Sequence, residues 1–366
     1  MAFSDIRFDP RILKQCEALH ESGYHVEFHG VKYENNTEKF NFTTRLYFFR
    51  SHRLFIQTFQ YFLLMFIFLI PQLKNLRLKP TIIVHNLPNF LIFSCLLSKL
   101  FGSQIILDMH DDPTVSFANK VSSKALQWLL YFIEYKIALK VPNKIITVNK
   151  LLYNRYKKYS GADMLLLHNA PDSVKNRCDN FYSPGSTIKM VFIGHIGTHY
   201  GLSNFLKQFE RVSKSVPITL DIYGDGVEKQ KLVEIVQSTA LEEKVVFHGR
   251  YSPQNLSSIL ESYHLGVALY DNTPLTNVIL PVKILEYTFN CVPTLTVPLA
   301  VTREYFSEDA LIFVSNQTLL DTMEKIYDGK IDLQSTHQKA LGEIFSISWG
   351  IERQKFIKFV SGSRSN

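Results

Sequence analysis

The chain predicts an α/β protein of two doubly wound parallel-sheet domains. Three observations carry that prediction. Short apolar runs alternate with amphipathic helical segments along most of the length, which marks parallel βαβ units. A polar stretch around 169–184, holding Pro171 and ending in Pro184 and Gly185, divides the alternation into two sets and reads as a linker. With 366 residues, two domains of ordinary size are expected.

In the first set, Pro10–Ser22 reads as a helix, His25–His29 as a strand, Thr81–His85 as a strand and Phe90–Leu100 as a helix. Gln104–Asp108 follows as a strand, Lys124–Lys140 as a helix, and Lys144–Val148 and Leu165–His168 as strands. The second set is more regular. Ile188–Ile193, Ile218–Tyr223, Lys244–His248, Leu265–Tyr270 and Thr294–Val297 read as strands. Leu202–Ser213, Glu228–Ser238, Leu256–Ser262 and Pro281–Asn290 read as the intervening helices. Ligands in such folds bind at the carboxyl ends of the strands, so the loops there are the places to search for chemistry.

Composition is that of a globular protein, 46% hydrophobic and 20% charged. The four cysteines (Cys16, Cys95, Cys178, Cys291) are widely spaced with no Cys-x-x-Cys pair, which argues against a disulfide framework or a zinc site and for a reducing cytosol. No basic region followed by an apolar core opens the chain, so no signal peptide is expected. Charge is uneven: residues 1–170 hold 21 Lys and Arg against 12 Asp and Glu, while 171–366 hold 19 against 21. No acid lies between Glu38 and Asp108, where Arg45, Arg50, Arg53, Lys74, Arg77, Lys79 and Lys99 occur. Such a stretch suggests an anionic surface as partner. It is apolar and lacks a nucleic-acid-binding motif, so nucleic acid is set aside. Within it, Tyr61–Ile70 is an apolar run too short to span a bilayer. It reads either as an interfacial helix, with Phe48, Phe49, Phe55, Phe59 and the arginines at the headgroups, or as a core helix covering the sheet.

The segment 281–287, Pro-Val-Lys-Ile-Leu-Glu-Tyr, is the most informative motif. Pro281 suits the first position of a helix, where a missing N–H costs nothing. Lys283 and Glu286 share a face, and the free N–H groups of a helix start attract anions. The lysine suits a diphosphate and the carboxylate suits ribose hydroxyls. The plain alternative is a surface i,i+3 ion pair. The loop Gly194-His195-Ile196-Gly197-Thr198-His199-Tyr200-Gly201 permits close backbone approach to a phosphate, or is simply a tight turn. Arg250, after the strand ending in Gly249, could reach a phosphate. In the first set, Asp108-Met109-His110-Asp111-Asp112 ends a strand. His110 is placed to contact substrate, against the alternative of a histidine bonded to a neighbouring carboxylate. The acidic cluster is a weaker candidate for a metal, since no second cluster supplies further ligands. Arg11, at the first helix start, is a candidate anion contact or a solvated first-turn charge.

The order of these pieces resembles family 4 of the glycosyltransferases, retaining enzymes of the GT-B fold and of polysaccharide-building type. The pieces are Asp9-Pro10-Arg11 with Gly23-Tyr24-His25-Val26, Ile83-Val84-His85-Asn86-Leu87-Pro88, Leu107-Asp108-Met109-His110-Asp111 and His168-Asn169-Ala170-Pro171. In the second half they are Val246-Phe247-His248-Gly249, Leu280–Tyr287 and Ser348-Trp349.

The resemblance implies two Rossmann-like domains facing across a cleft. Residues 1–171 would be the acceptor side and 172–345 the nucleotide-sugar side, with a C-terminal helix, 346–366, crossing back. It implies a UDP- or GDP-sugar donor, a glycan or lipid-linked glycan acceptor, surface polysaccharide biosynthesis, and no metal or other cofactor. Glu286 would bind the donor's ribose and His110 would contact the transferred sugar. Lys283, Arg250 and the loop with Gly194, His195 and Gly197 would face the diphosphate, and Arg11 and Asp111 would lie on the acceptor side. A cytoplasmic protein, peripheral on the anionic inner face of the membrane, follows from the basic aromatic stretch.

Three departures stand out. Val278 occupies the place of a frequent Glu, His195 and Tyr200 replace the usual Arg and Lys, and the opening strand is missing or reduced to Met1–Ile6. Two other readings therefore stand beside the transferase: a non-catalytic glycan- or partner-binding relative, and a nucleotide-sugar 2-epimerase.

Overall fold

The computed structural model describes all residues except 3, 33–38, 49–53, 87–88, 113–122, 173–177, 179–180 and 363–366. Of residues 8, 48, 54–59 and 61–62 it describes the backbone alone. Arg50, Arg53, Phe49, Leu87 and Pro88, and the side chains of Phe48, Phe55 and Phe59, thus lie outside the described residues. The chain forms two compact units, residues 1–169 with 350–366, and residues 170–349.

In the first unit, α1 (Pro10–Glu21) precedes β1 (Glu27–Lys32) and β2 (Thr43–Phe48), then α2 (Leu54–Lys74) and β3 (Ile82–His85). Next come α3 (Leu96–Leu100), β4 (Ile105–Met109), α4 (Lys124–Tyr131), β5 (Lys144–Thr147), α5 (Lys150–Lys157) and β6 (Asp163–Leu166). A four-stranded parallel sheet runs β3-β4-β5-β6, and β1 pairs with β2 in parallel. The first residues join the two sheets. Ala2 N–H donates to His29 O and Val31 N–H to Ser4 O, while His85 N–H donates to Met1 O. Met1, Ala2 and Ser4 therefore stand between β1 and β3, where the opening strand was expected to be missing or reduced to Met1–Ile6.

Two further expectations need revision. The helix predicted over 124–140 is α-helical only to Tyr131; a π turn (Phe132–Ile137) and a 3₁₀ turn (Ala138–Lys140) follow. The apolar run 61–70 is the middle of a longer helix with two faces. Leu64 and Phe68 are buried, while Leu63, Phe66, Ile70 and Leu73 are exposed. Among the described residues no helix is long and apolar enough to cross a membrane.

The second unit contains β7 (Ile188–Ile193), α6 (Leu202–Val212), β8 (Ile218–Tyr223), α7 (Lys229–Ser238) and β9 (Val245–Gly249). It continues with α8 (Leu256–Leu260), β10 (Leu265–Ala268), α9 (Val282–Phe289), β11 (Thr294–Thr296), β12 (Ile312–Phe313), α10 (Leu319–Tyr327) and α11 (Leu333–Ile344). The final helix, α12 (Trp349–Ser361), buries Glu352 in the first unit. There Glu352 accepts from the His168 backbone N–H at 3.0 Å and meets His168 Nδ1 at 3.2 Å.

The second sheet is parallel in the order β12-β11-β10-β7-β8-β9, so the winding reverses between β7 and β10. These two strands pair only at Leu265↔Met190 and Gly266↔Val191 and then part. Tyr287 of α9 fills the gap. Its hydroxyl accepts from Ile193 N–H at 3.0 Å and lies 3.2 Å from Val191 O and 3.3 Å from Val267 O. Gly266 makes room for the ring, since a Cβ there would overlap it. Replacing Tyr287 by Phe leaves the Ile193 N–H buried and unpaired. We expect a loss of about 1–3 kcal/mol in chemical denaturation.

Candidate functional site

Each unit presents a charged cluster at the carboxyl ends of its strands. In the first, Asp108 at the end of β4 is fully buried. Its carboxylate accepts from Arg11 Nη2 at 2.8 Å, Arg11 Nε at 3.0 Å and Gln15 Nε2 at 2.6 Å. His85 Nδ1 and His110 Nε2 each lie 3.4 Å from Oδ2, and the two rings meet nitrogen to nitrogen at 3.2 Å. Burial alone would push the Asp108 carboxyl up. Arg11 and His110 outweigh it and hold the group well below the usual carboxylate range. Burial presses His85 down to about 4, against the pull of Asp108, so this ring is neutral near pH 7.

Arg11 is therefore not an anion contact waiting at a helix start. It is buried, and Asp108, Leu167 O at 2.9 Å and Asn169 Oδ1 at 2.8 Å use its guanidinium inside the unit. A first-turn arginine is ordinarily solvated, and only the return of residues 167–169 over α1 could reveal this engagement. His110 is only partly buried. Its backbone N–H donates to Asn86 Oδ1 at 2.7 Å, and Asn86 Nδ2 donates to Asp111 O at 2.9 Å, which fixes the loop. Burial raises the Asp111 carboxyl. Asp112 is taken by Tyr135 Oη at 2.9 Å and by Arg155. Asp108 and Asp112 thus have separate partners, and the ligand atoms that come together here are those of His85, Asp108 and His110, all within 4.8 Å of one another.

The second cluster lies at the reversal between β7 and β10, where doubly wound sheets bind ligands. Pro281 takes the N-cap of α9 rather than its first helical position, with extended backbone. Lys283 is 7% exposed, and its Nζ has no hydrogen-bond partner among the described residues. Instead it sits over aromatic rings: 3.7 Å from the centroid of Phe192, 4.4 Å from Tyr200 and 5.6 Å from Tyr270. The hydrogen-bonded Lys283–Glu286 pair of the plain reading is absent. Burial lowers the Lys283 ammonium to about 7, only partly opposed by Glu286. Glu286 is half-buried and its charge is felt by Tyr251 and Tyr270.

The glycine loop borders this cage. Gly194 has φ +110°, a left-handed value that favours glycine, and Gly224 crosses so close above it that a Cβ on Gly224 would overlap the Gly194 carbonyl. Tyr200, one of the two aromatic departures, packs its ring at 5.2 Å from Tyr270 and forms a wall of the Lys283 cage. His195 sits edge-on to Tyr200 with ring centroids 6.2 Å apart, and Gly197 lies against both rings. Arg250 is largely outside the cluster, 83% exposed, with Nε 3.4 Å from Asp225. Val278 is buried in a 3₁₀ turn and offers no charge. Sequence reading missed Asp108, Gln15, Tyr270 and Tyr287. Asp108 and Tyr287 stood in the quoted motifs without a role, Gln15 lies within α1, and Tyr270 lies just past the apolar strand β10.

Residues 180–342 match the family described as Glycosyl transferases group 1. That match falls within the second unit. Solved structures of low sequence identity share the fold over nearly all of both chains, and the fold is α/β of the GT-B type. Sucrose-phosphate synthase from Thermosynechococcus elongatus is 14% identical with a TM-score of 0.72, over 97% of this chain and 92% of its own. The lipopolysaccharide outer core galactosyltransferase WaaB, apo form, is 11% identical with a TM-score of 0.67, over 99% and 98%. Anabaena HepE in complex with UDP and glucose is 10% identical with a TM-score of 0.67, over 96% of each chain. No sequence among curated proteins matches the chain.

Lys283 gives the protein a defined pH response. Its pKa is lower in the folded protein, about 7, than the ordinary 10.5 of the unfolded chain. Between these values the unfolded chain binds more protons, so stability rises with pH through that window and is weakest below 7. The rise has a slope of at most about 1.4 kcal/mol per pH unit. Lys283→Met removes it, leaving the variant more stable than the parent at pH 7 and the difference shrinking toward pH 10. Urea unfolding at pH 7, 8, 9 and 10 measures this.

Proposed function

We propose that the protein is a retaining glycosyltransferase that moves a sugar from a UDP- or GDP-sugar to a glycan or lipid-linked glycan in surface polysaccharide biosynthesis. One observation carries the reading: a buried lysine ammonium with no hydrogen-bond partner among the described residues, at the sheet reversal, one turn from a carboxylate on the same helix. An uncompensated buried cation is costly, and a diphosphate would compensate it. The uncapped N-terminus of α9 would add backbone dipoles of the same sign. HepE, of like fold, was solved with UDP and glucose, which supports a nucleotide-sugar donor.

In this reading Glu286 accepts from the ribose hydroxyls. Lys283 and the backbone of Gly194, His195 and Gly197 face the diphosphate, where leaving-group charge develops. Arg250, exposed and weakly paired, would have to swing to join them. His110 is assigned to the transferred sugar and Asp111 to the acceptor side. Arg11 acts through Asp108 as a positioning residue. No metal is required, because Lys283 and helix N–H groups would carry the charge. Residues 1–171 would serve the acceptor and 172–345 the donor, with 346–366 returning to the first domain.

The same proposal sets the protein in the cytoplasm, against an anionic membrane face. The exposed stripe Leu63, Phe66, Ile70 and Leu73 on α2 is followed by exposed Lys74, Arg77 and Lys79, an apolar band beside cationic groups.

Donor turnover by the purified protein tests the reaction. Glu286→Ala should weaken donor binding at least tenfold, in line with about 1.5–3 kcal/mol for hydrogen bonds to a charged group. His110→Ala should cut turnover by roughly 100-fold or more with donor affinity kept. Full activity in both variants would refute the site. Co-sedimentation with vesicles containing phosphatidylglycerol tests the surface. Binding should fall in Phe66→Ser/Ile70→Ser and should be weak on neutral vesicles; equal binding by parent and variant would refute it.

A further inference from the structure

Cys178 and Cys291 are disulfide-bonded, with Cα atoms 5.4 Å apart across 113 residues of sequence. Wide spacing had argued against any such pairing. What spacing could not show is that the linker passes the C-terminal end of α9. Cys291 sits just past that end with a left-handed φ of +65°, among turn hydrogen bonds from Cys291 N–H to Thr288 O and from Val292 N–H to Tyr287 O. A third group completes the cluster: His337 of α11, whose ligand nitrogen and the two sulfurs all lie within 4.8 Å of one another.

His337 is what makes this more than a crosslink. It is 2% exposed. Its Nε2 lies 2.8 Å from the backbone carbonyl of Thr288. A carbonyl only accepts, so Nε2 carries the hydrogen and Nδ1 the lone pair. That Nδ1 is buried with no hydrogen-bond partner among the described residues. A buried lone pair left this way carries the desolvation penalty of an unpaired acceptor. Metal-ligating histidines show the same arrangement, the remote N–H fixed on a backbone carbonyl and the near nitrogen bare.

We propose that, with the disulfide reduced, Cys178, Cys291 and His337 form a binding site for one thiophilic divalent cation of the Zn²⁺ type. Two thiolates and one imidazole are the donors such ions select. At metal–ligand distances of about 2.0–2.3 Å, tetrahedral ligand atoms stand roughly 3.4–3.8 Å apart, inside the span these side chains already have. Both cysteines are only partly buried, which leaves room for water as fourth ligand. The site ties together the linker, the end of α9 and α11. The two states exclude each other. A phosphine reductant gives its electron pair to the disulfide and takes an oxygen from water, becoming the phosphine oxide and leaving two thiols. The cation then displaces both thiol protons to the buffer and accepts the lone pair of His337 Nδ1. This inference stands apart from the donor reading and does not depend on it.

The test uses the full chain, reduced with a phosphine, stripped with a chelator and kept free of oxygen. Co²⁺ is titrated in and then displaced by Zn²⁺. We expect one ion per chain and the ultraviolet sulfur-to-cobalt charge-transfer absorption that marks thiolate ligation. Cys178→Ser and Cys291→Ser should abolish that absorption. His337→Gln should keep it and weaken affinity at least tenfold. Unreduced protein should bind no ion. Should His337→Gln fail to fold, Cys178→Ser, in the partly exposed linker, decides, with its metal-free unfolding midpoint as the folding control. No binding by the reduced parent, or unchanged affinity and absorption in Cys178→Ser, overturns the proposal.

Discussion

The phenol of Tyr287 is the contact on which the second unit's geometry turns. Parallel strands that diverge at a winding reversal leave backbone groups without a neighbour, and a buried N–H without a partner is costly. One hydroxyl serves Ile193 N–H and reaches Val191 O and Val267 O at once. Because Tyr287 belongs to α9, satisfying the sheet also fixes the place of that helix. Lys283 lies four residues earlier, so the same contact sets it among Phe192, Tyr200 and Tyr270. Gly266 is required on the other side, since any side chain there would displace the ring.

The aromatic departures take on a physical meaning in this setting. Where a cationic loop would surround a diphosphate with charge, Tyr200 joins Phe192 and Tyr270 in surrounding a single ammonium with π faces, and His195 stands edge-on to Tyr200. Cation–π contact offsets part of the desolvation but does not supply a hydrogen bond. The lysine is thereby left near neutrality at about pH 7. Its charge becomes conditional: an anion brought to the reversal would favour the protonated form, and a neutral group would not.

Much of this was legible in the sequence, for identifiable reasons. The βα alternation from Ile188 to Val297 follows period and turn chemistry, so strands β7 to β11 fell within a few residues of their places. The 281–287 helix was legible because a proline start, a lysine and a carboxylate at i+3 coincide. Hidden features depend on long-range return of the chain. Met1, Ala2 and Ser4 join β1 and β3 through four described hydrogen bonds, in a run too short for any periodicity. Arg11 looks solvated in its own helix and is buried only by residues 97 and more positions away. Cys178 and Cys291 meet because a linker crosses a helix end, which spacing cannot encode.

The two charged clusters show why one is framework and the other has capacity to spare. Asp108 is over-provided: Arg11, Gln15 and two histidines converge on it, and its charge is stable without any ligand. Such a carboxylate orients its neighbours, and His110 is the neighbour it leaves partly open to solvent. Lys283 is under-provided, a buried ammonium with rings around it and no acceptor among the described residues. Buried polar groups are normally satisfied, and an exception within one unit of a well-packed fold is where external chemistry can be accommodated at a gain. His337 Nδ1 is an exception of the same kind, with a lone pair instead of a charge unfulfilled. An anion would complete the first and a cation the second, and both groups are fixed by the same helix, α9, through the adjacent residues Tyr287 and Thr288.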